Sequence, residues 1–291
     1  MSGHPSNLQK AESIMNLKDI LVHVDSNSTT PARLKVAIEL AQQHDAHLTG
    51  LYVDPGVKLP PLMDAPLPAS FFDELQQQAL ANREQATQTF NEAVANTQLL
   101  TEWRVADGEL VRTLETHGSY ADLLVVGQTS DDDTKVVAGG LADAAVLGVG
   151  RPVLVIPYIG AQRAVGRRVL VAWNGSRESV RAVNDALPLL QRAEVVEVMF
   201  VNPPEQRALG GHIAGTDISL HLARHGVRVQ THQAASSDID TGDLLLSRAA
   251  DFGADLIVMG AYGHSRIREF VFGGVTHHVL RHMTVPVLMS H

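Results

Sequence analysis

The chain of 291 residues contains no cysteine, which excludes disulfides, thiolate metal sites and a cysteine nucleophile. Aromatic residues make up only 4% of the sequence, so aliphatic side chains must fill the core. No apolar run is long enough to cross a bilayer, and residues 1–16 lack the apolar segment of a secretory signal. These absences predict a cytoplasmic protein that does not enter a membrane.

Positive charge is scarce in the first half of the chain. Residues 1–160 hold 10 Lys and Arg against 20 Asp and Glu, whereas residues 161–291 hold 13 against 12, and all 13 are arginine. The net charge of −9 argues against non-specific binding of nucleic acid, which needs a basic surface. An anionic ligand would meet less repulsion in the second half.

The most informative content of the sequence is a repeat. The segment Ala121–Gly127 reads ADLLVVG and returns as ADLIVMG at Ala254–Gly260. Two more apolar segments recur in the same order, Ile20–Asp25 with Val169–Asn174 and Arg151–Val155 with Val285–Met289. Since 291 residues suffice for two domains that each bury a core, the repeat predicts tandem domains at residues 17–158 and 166–291.

Each half is predicted to alternate strands with helices. Continuous apolar runs are typical of parallel strands that are covered on both faces. The first strand of each half, at 20–24 and 169–173, is such a run. Further strands are predicted at 47–53, 101–105, 121–127 and 153–157, and again at 195–201, 227–232, 254–260 and 287–290. The order βαβαβαβαβ predicts an α/β fold: two tandem Rossmann-like domains, each an open five-stranded parallel sheet with helices on both faces. A ligand crevice is expected at the carboxyl ends of the strands.

Two of the helices carry signals for their first turns. Thr30 and Pro31 offer an N-cap followed by a proline that suits the first turn, and Ser176 takes the N-cap position in the second half. The apolar residues behind these caps form the same helical stripe in both halves: Leu34, Ala37, Ile38 and Ala41 in the first, and Val183, Ala186, Leu187 and Leu190 in the second.

A glycine loop lies at the carboxyl edge of the second half. Gly260 ends a predicted strand, Gly263 follows, and nine residues later Gly273 and Gly274 open a predicted helix. Glycines let backbone amides approach an anion closely, and a helix N-terminus adds free N–H groups. The alternative is that these glycines only make tight turns. Strand–loop–helix context, spacing and the arginines in the loop together favour an anion site.

The pattern G-x2-G-x9-G, followed by a small residue and combined with the strand order, resembles the universal stress protein family over nearly all of residues 17–291. The resemblance implies a sensor in the stress response that binds ATP or a related adenine nucleotide, with Mg²⁺, in the second half. It also implies that the halves pack about a pseudo-two-fold axis and that chains form a homodimer through the terminal strands. The residues it assigns to the nucleotide are Ala172, Asn174, Val201, Gly260, Gly263, Ser265, Arg266, Gly273, Gly274, Val275 and Thr276.

Both halves depart from the family pattern. In the second half, Gly274 stands where a Ser or Thr usually follows the last glycine, and Asn174 replaces the usual Asp after the first strand. In the first half, Ser130 replaces the second glycine and the run Asp131–Asp133 follows it, although Asp25 is kept. Three carboxylates at the expected phosphate position would repel a triphosphate. The first half is therefore predicted to be a degenerate, structural domain.

Other motifs predict little chemistry. His278 and His282 have a spacing that can bind a metal, but no Glu follows in the zincin pattern, so we predict no metal site. The absence of a Walker lysine motif and of a G-x-S-x-G elbow predicts no catalytic residue and at most slow hydrolysis of ATP. No redox cofactor is expected, and Trp103 and Trp173 are interpreted as packing residues. Two alternatives stay open: a ligand-independent interaction module with vestigial pockets, and a slow nucleotide hydrolase.

Overall fold

The computed structural model describes residues 15–54, 56, 69–128, 140–201, 216–234, 240–263 and 274–291. Strands and helices alternate in both halves, as predicted. The first half contains β1 Asp19–His23, α1 Thr30–His44, β2 His47–Asp54, α2 Ala69–Val94, β3 Thr101–Asp107, α3 Leu110–Gly118, β4 Leu123–Gly127, α4 Leu141–Gly148 and β5 Val153–Ile156. The second half contains β6 Arg168–Ala172, α5 Arg177–Leu190, β7 Val195–Val201, α6 Thr216–Arg224, β8 Val229–Ala234, α7 Thr241–Phe252, β9 Leu256–Gly260, α8 Val275–His282 and β10 Val287–Ser290.

The ten strands form one sheet in the order β3-β2-β1-β4-β5-β10-β9-β6-β7-β8. Within each half, all neighbouring strands are parallel. Successive strand residues alternate between two hydrophobic clusters, so Ile20 and Val22 face one and Leu21 faces the other. Helices α1, α2, α5 and α6 pack on one face, and α3, α4, α7 and α8 on the other. The predicted α/β fold with helices on both faces is confirmed.

The two halves meet through an antiparallel pair, β5 with β10. Leu154 pairs with Leu288, its counterpart in the repeat, and the neighbouring residues pair symmetrically around them. This register places an approximate two-fold axis at the Leu154–Leu288 pair, as expected for the packing of the halves. The two five-stranded sheets become one because each terminal strand covers the apolar edge of the other.

The same pairing corrects the predicted dimer. Strand β5 lies between β4 and β10, and β10 lies between β9 and β5, so both edges of each terminal strand are hydrogen-bonded within the chain. A homodimer through the terminal strands would have to break these ladders. The predicted route of association is therefore wrong, because the repeat supplies within one chain the partner that the prediction sought in a second.

Gln128 ties the halves together beside this junction. Its buried side chain donates from Nε2 to the carbonyl oxygens of Leu280 and Arg281, at 2.9 and 3.0 Å. Its Oε1 accepts a hydrogen bond from the amide of Tyr158 at 3.0 Å. The last carbonyls of a helix lack partners inside the helix, so a side chain of the first half satisfies the end of α8 in the second.

The aspartate of the repeated Ala-Asp-Leu segment has a structural role in both halves. Asp122 Oδ2 accepts hydrogen bonds from the amides of Lys18 and Asp19, at 2.7 and 3.1 Å. Asp255 accepts from the amides of residues 166, 167 and 168, at 2.8, 3.0 and 2.9 Å. These bonds satisfy the backbone where β1 and β6 begin, at the edge of the sheet opposite the predicted crevice. The aspartate of this repeat therefore has a structural role at the start of a strand in both halves.

Of the two predicted helix caps, one is confirmed. Ser176 Oγ accepts a hydrogen bond from the amide of Ser179 at 3.1 Å, as an N-cap does. In the first half the N-cap is Thr29, which makes no side-chain capping bond, and Thr30 is the first helical residue. The predicted Thr30 cap is wrong because the Thr30 hydroxyl donates to the Asp25 carboxylate instead.

The longest described helix, α2, packs on β2 and β3 through a few residues. Phe90 is 2% exposed and stacks on Trp103 with ring centroids 5.0 Å apart. A Cβ on Gly50 would lie 2.5 Å from the Phe90 ring, so only glycine leaves room for this contact. Trp103 is thus a packing residue, as predicted. Within the described ranges, no helix has the length and apolar character that crossing a membrane requires.

His44 is a buried imidazole at the end of α1. Its Nδ1 accepts a hydrogen bond from the amide of Leu17 at 3.4 Å, and its Nε2 has no hydrogen-bond partner among the described residues. Burial, with a smaller contribution from the positive charge of Arg192, lowers the pKa of His44 from 6.5 to about 4. The native state therefore requires the neutral ring, whereas the unfolded chain takes up a proton near pH 6.5.

We expect the protein to lose stability as the pH falls from 6.5 towards 4. Because the folded pKa is the lower one, the unfolded state binds more protons in this window, and at pH 5 the loss from His44 is about 2 kcal/mol relative to pH 7.5. Urea unfolding at the two pH values measures it. In His44→Met, the part of the pH dependence of the unfolding free energy that His44 causes should vanish. An unchanged pH dependence would show that His44 is not its source.

Candidate functional site

The carboxyl ends of β6, β7 and β9 border a cavity of about 500 Å³, which we call the domain 2 pocket. The first turns of α5, α7 and α8 complete its wall. A helix that follows a parallel strand begins where that strand ends, so strand ends and helix starts gather at one edge of the sheet. This is the edge at which the sequence predicts a ligand crevice, and the volume is within the range of small-molecule sites.

Most of the residues that the sequence assigns to the nucleotide lie around this cavity. Gly274 is the N-cap residue of α8. Ser265, Arg266 and Gly273 lie outside the described residues, as do Arg268 and the run Asp131–Asp133. The assigned residues that the structure places in the pocket wall are Ala172, Asn174, Val201, Gly260, Gly263, Val275 and Thr276.

The electrostatic character of the pocket comes from helix starts rather than from cations. The N-caps of α5, α7 and α8 are Ser176, Asp240 and Gly274. The first amides of a helix lack partners inside the helix and carry partial positive charge. In the described part of the wall there is no Lys, Arg or His, but four hydroxyl side chains besides Tyr262 contribute: Ser176, Ser179, Thr241 and Thr276.

The two described glycines of the loop have different roles. A Cβ on Gly260 would lie 2.4 Å from the backbone of Glu178 and from the amide nitrogen of Ser179. Gly260 is therefore required because β9 packs directly against the first turn of α5. A Cβ on Gly263 would lie 3.4 Å from Glu178 Oε2, an ordinary contact. Gly263 is the glycine whose space opens to the pocket.

Thr276 joins the two ends of the loop. Its hydroxyl accepts a hydrogen bond from the amide of Tyr262 at 3.3 Å, and the residue is 4% exposed. Tyr262 has φ +52°, an uncommon conformation for a residue with a side chain. The Tyr262 hydroxyl donates to the Asp143 carboxylate on α4, in the first half of the chain. The glycine loop of the second half is thus fastened to the first half.

Asn174 keeps the turn that an aspartate makes in the other half. Its Oδ1 accepts from the amide of Ser176 at 3.0 Å, and Asp25 Oδ1 accepts from the amide of Asn27 at 3.1 Å. The replacement of Asp by Asn therefore preserves the local backbone while removing a charge from the pocket rim.

Sequence reasoning assigned seven of the sixteen described wall residues and missed the other nine, among them Trp173. Trp173 packs against the core, as interpreted, and lines the pocket as well. Glu178 and Tyr262 also lie in the wall. The signal that could have found them is position. Trp173 and Tyr262 lie within two residues of the carboxyl ends of β6 and β9, and Glu178 belongs to the first turn of α5.

In the first half, an arginine occupies the corresponding place. Arg33 on α1 is 3% exposed, and its Nη1 lies 2.5 Å from the position of a Cβ on Gly127, the counterpart of Gly260. Its Nη2 lies 3.0 Å from Asp25 Oδ1 and donates to Thr30 Oγ1 at 2.9 Å. At the offset that aligns the two helical stripes, Arg33 corresponds to Ala182, which is fully buried.

The Arg33–Asp25 pair also fixes the charge of the aspartate. Burial alone would raise the pKa of Asp25, but the Arg33 guanidinium, His23, the Thr30 hydroxyl and the Asn27 amide outweigh it and hold that pKa well below its usual range. Asp25 is consequently committed to partners within the chain. The sequence argument relied on the acidic run and did not predict this pair.

The two histidines with metal-binding spacing are not brought together as ligands. Their rings stack with centroids 4.4 Å apart, and His282 Nδ1 lies 2.9 Å from the carbonyl oxygen of His278. His278 Nε2 is instead 2.8 Å from Asp243 Oδ1, and Asp240 completes a cluster whose ligand atoms lie within 4.8 Å of one another. Both aspartates are exposed, and such clusters commonly occur without an ion.

Comparison with known proteins adds family evidence to this geometry. A family model described as the universal stress protein family matches the chain twice, at residues 16–157 and 166–291. A universal stress protein of Synechocystis sp. is 25% identical over 205 residues, and the match covers 62% of this chain and 62% of that protein. The chain therefore spans less than two thirds of the length of this curated relative.

Solved structures show the same fold. The crystal structure of a universal stress protein from Archaeoglobus fulgidus aligns with a TM-score of 0.70 and 16% identity, covering 94% of this chain and 96% of that one. A family protein from Arabidopsis thaliana, solved with AMP bound, covers 48% of this chain and 91% of that one, with 18% identity and a TM-score of 0.32. The Archaeoglobus structure is the one of these two that shows the fold of this chain.

The two described loop glycines should respond differently to an added methyl group. Gly260→Ala forces its Cβ into the α5 backbone and should lower the free energy of unfolding by about 1–3 kcal/mol. Gly263→Ala meets only ordinary contacts and should change it by less than about 0.5 kcal/mol. Thermal or urea unfolding of both variants makes the comparison. Equal losses in the two would show that Gly260 has no special packing role.

Proposed function

Since the chain belongs to the universal stress protein family, as two tandem copies, we propose that it binds ATP or a related adenine nucleotide in the domain 2 pocket and acts as a sensor in the stress response. The observation that carries this proposal is the convergence of three helix N-termini and four hydroxyls on one cavity of about 500 Å³. Helix starts are suited to a phosphate.

The distribution of side chains in the wall suits the two ends of a nucleotide. Apolar side chains from β7, α7 and β9 offer a surface for a base: Met199, Val201, Leu245 and Met259. The hydroxyls of Ser176 and Thr276 lie at helix starts, next to the glycine loop, where phosphate oxygens would find donors. Residues 264–273, which include Ser265, Arg266 and Gly273, are proposed to complete the phosphate end, with Mg²⁺ as the accompanying ion.

The first domain is proposed to be structural. Arg33 and Asp25 neutralise each other, and Asp25 is the counterpart of Asn174 in the pocket wall of the second domain. A ligand that displaced Asp25 from the buried Arg33 would leave an uncompensated charge, which is costly. The contribution of the first domain is then to hold the second, through β5, Gln128 and Asp143.

We propose binding without rapid turnover, because the sequence has no Walker lysine motif. A ligand-independent interaction module and a slow hydrolase are the alternatives. Mass spectrometry of the compounds released when the purified protein is denatured separates the first alternative from binding. Multiple turnovers of ATP would favour the second.

The cytoplasm is the proposed location. A homodimer stays a proposal, although its predicted route through β5 and β10 is occupied within the chain. Light scattering at tens of micromolar should then give twice the chain mass of 31.4 kDa. Because β5 and β10 are occupied within the chain, substitutions in them should unfold the protein rather than produce folded monomers. A species of one chain mass at these concentrations would refute the dimer.

Nucleotide binding should depend on the second glycine loop and not on the first. Gly263→Asp places a second carboxylate beside Glu178, and it should weaken binding of ATP or AMP by at least about tenfold, since like charges in a partly buried site repel strongly. Ser130→Asp, at the matching position of the first half, is the control and should leave binding unchanged. Calorimetric titration measures both.

The opposite pattern, with binding lost in Ser130→Asp and kept in Gly263→Asp, would place the site in the first domain. AMP is included because it is the nucleotide in the Arabidopsis structure. Melting temperatures of the two variants should match that of the unaltered protein, so that lost binding is not lost folding.

A further inference from the structure

Strand β3 has an outer edge that no other strand covers in the described part of the chain. It is the last strand in the order of the sheet and pairs there only with β2. The amide of Leu48 on β2 donates to the carbonyl oxygen of Leu100 at 3.0 Å. The even-numbered residues that follow therefore turn their backbone groups towards β2. Because this direction alternates along a strand, the outward backbone groups are those of Thr101, Trp103 and Val105.

One face of β3 carries a pair of opposite charges beside this edge. Arg104 donates from Nε and Nη2 to the Glu102 carboxylate at 2.8 and 2.7 Å, and the two side chains are 39% and 44% exposed. The hydrogen bond from Arg104 lowers the pKa of Glu102, so the carboxylate is ionised at neutral pH. Charged residues on an edge strand often prevent pairing. Here both signs are present, so the pair has no net charge with which to repel a second copy.

Apolar side chains flank the two charges on the same face. Successive side chains of a strand alternate between its faces, so Leu100 and Ala106 share a face with Glu102 and Arg104. Leu100 is 77% exposed, although it is a large apolar residue. Ala106 is only partly buried. Along the chain this face reads apolar, negative, positive, apolar, an order that complements itself when a second copy runs in the opposite direction.

This order selects one antiparallel register for two copies. Outward backbone groups can pair only with outward groups, so a two-fold axis near the middle of the edge passes through residue 102, 103 or 104. An axis at Glu102 or at Arg104 puts like charges opposite each other, which destabilises a strand pair. An axis at Trp103 puts Glu102 of each copy opposite Arg104 of the other, which is stabilising. The same register covers the exposed Leu100 with Ala106 of the second copy.

We propose that β3 is the interface of the homodimer, with two copies of the chain paired antiparallel about a two-fold axis at Trp103. This inference rests on the proposed homodimer, whose surface it names, and it is independent of nucleotide binding. Strand β8, at the other end of the sheet, reads VQTHQA and carries no acidic residue and no arginine. Since only one edge has the complementary charges, the contact is between identical edges and the assembly closes at two chains.

The experiment reverses the two charges one at a time and measures the dimer dissociation constant by sedimentation equilibrium. Glu102→Arg gives the strand two positive charges, and Arg104→Glu gives it two negative ones. Each variant alone should dimerise at least about tenfold more weakly than the unaltered protein, because two attractive cross-strand pairs become repulsive. An equimolar mixture of the two variants should associate within about threefold of the unaltered protein, because every arginine at the interface then faces a glutamate.

Two further variants separate the position of these charges from other effects. Arg167→Glu is the matched control, since it makes the same change of charge in the exposed pair of Arg167 with Glu194, away from β3. It should leave the dissociation constant unchanged, and weaker association would mean that net charge alone controls assembly. Thr101→Pro removes one outward amide at the first residue of β3, where proline is tolerated. It should weaken the dimer without lowering the melting temperature.

The outcomes distinguish this interface from the homodimer itself. If the unaltered protein is a single chain at tens of micromolar, the proposed homodimer fails and the inference fails with it. A dimer that is equally tight in Glu102→Arg and Arg104→Glu uses another surface, which overturns the inference alone. Two folded variants that do not associate when mixed also overturn it, because complementary charges would then not decide the pairing.

Discussion

The structure depends on the antiparallel pairing of β5 with β10. Each is the apolar last strand of its half, and an uncovered apolar edge is a liability that a second strand removes. Pairing in register about Leu154 and Leu288 also brings the helices before these strands together. Asp143 and His277 occupy equivalent positions in the repeat and lie 3.3 Å apart, Oδ1 to Nδ1. If the two domains were identical in sequence, each residue at this place would face its own copy. Because the two halves of one chain can differ, two complementary residues, Asp143 and His277, face each other here.

The duplicated domains differ where the ligand site is expected. In the second half the small side chain of Ala182 lets α5 pack directly against Gly260, and the pocket stays open on the other side. In the first half Arg33, at the same helical position, reaches beneath Gly127 and pairs with Asp25. One substitution on a buried helix face thus places an ion pair where the second half has a small apolar side chain. The Arg33 side chain is buried and Asp25 is only partly exposed, so each charge is compensated mainly by the other.

The glycines of the motif meet two different requirements, close packing and access to the pocket, which the spacing of glycines in the sequence does not distinguish. Gly260 is needed for the contact between a strand end and a helix start, whatever the pocket contains, whereas Gly263 faces the pocket beside Glu178. Thr276 and Tyr262 then fix the ends of the loop, and the Tyr262 hydroxyl carries that restraint to Asp143 in the other domain. Tyr262 therefore belongs both to the wall of the pocket and to the junction between the two domains.

The sequence by itself determined the elements of this protein: apolar runs placed the strands, helical stripes placed the helices, and the repeat placed two α/β domains. These signals are local, or compare one stretch of chain with another. The cap at Thr30 and the route of association were wrong because each depended on what the residue meets in space. Only the tertiary structure decided that Arg33 pairs with Asp25 beside Gly127, that Glu178 borders the domain 2 pocket, and that Tyr262 reaches Asp143, 119 residues away along the chain. Such contacts follow from the strand order and from the packing of helices on the sheet, which bring together side chains that no periodicity in the sequence relates.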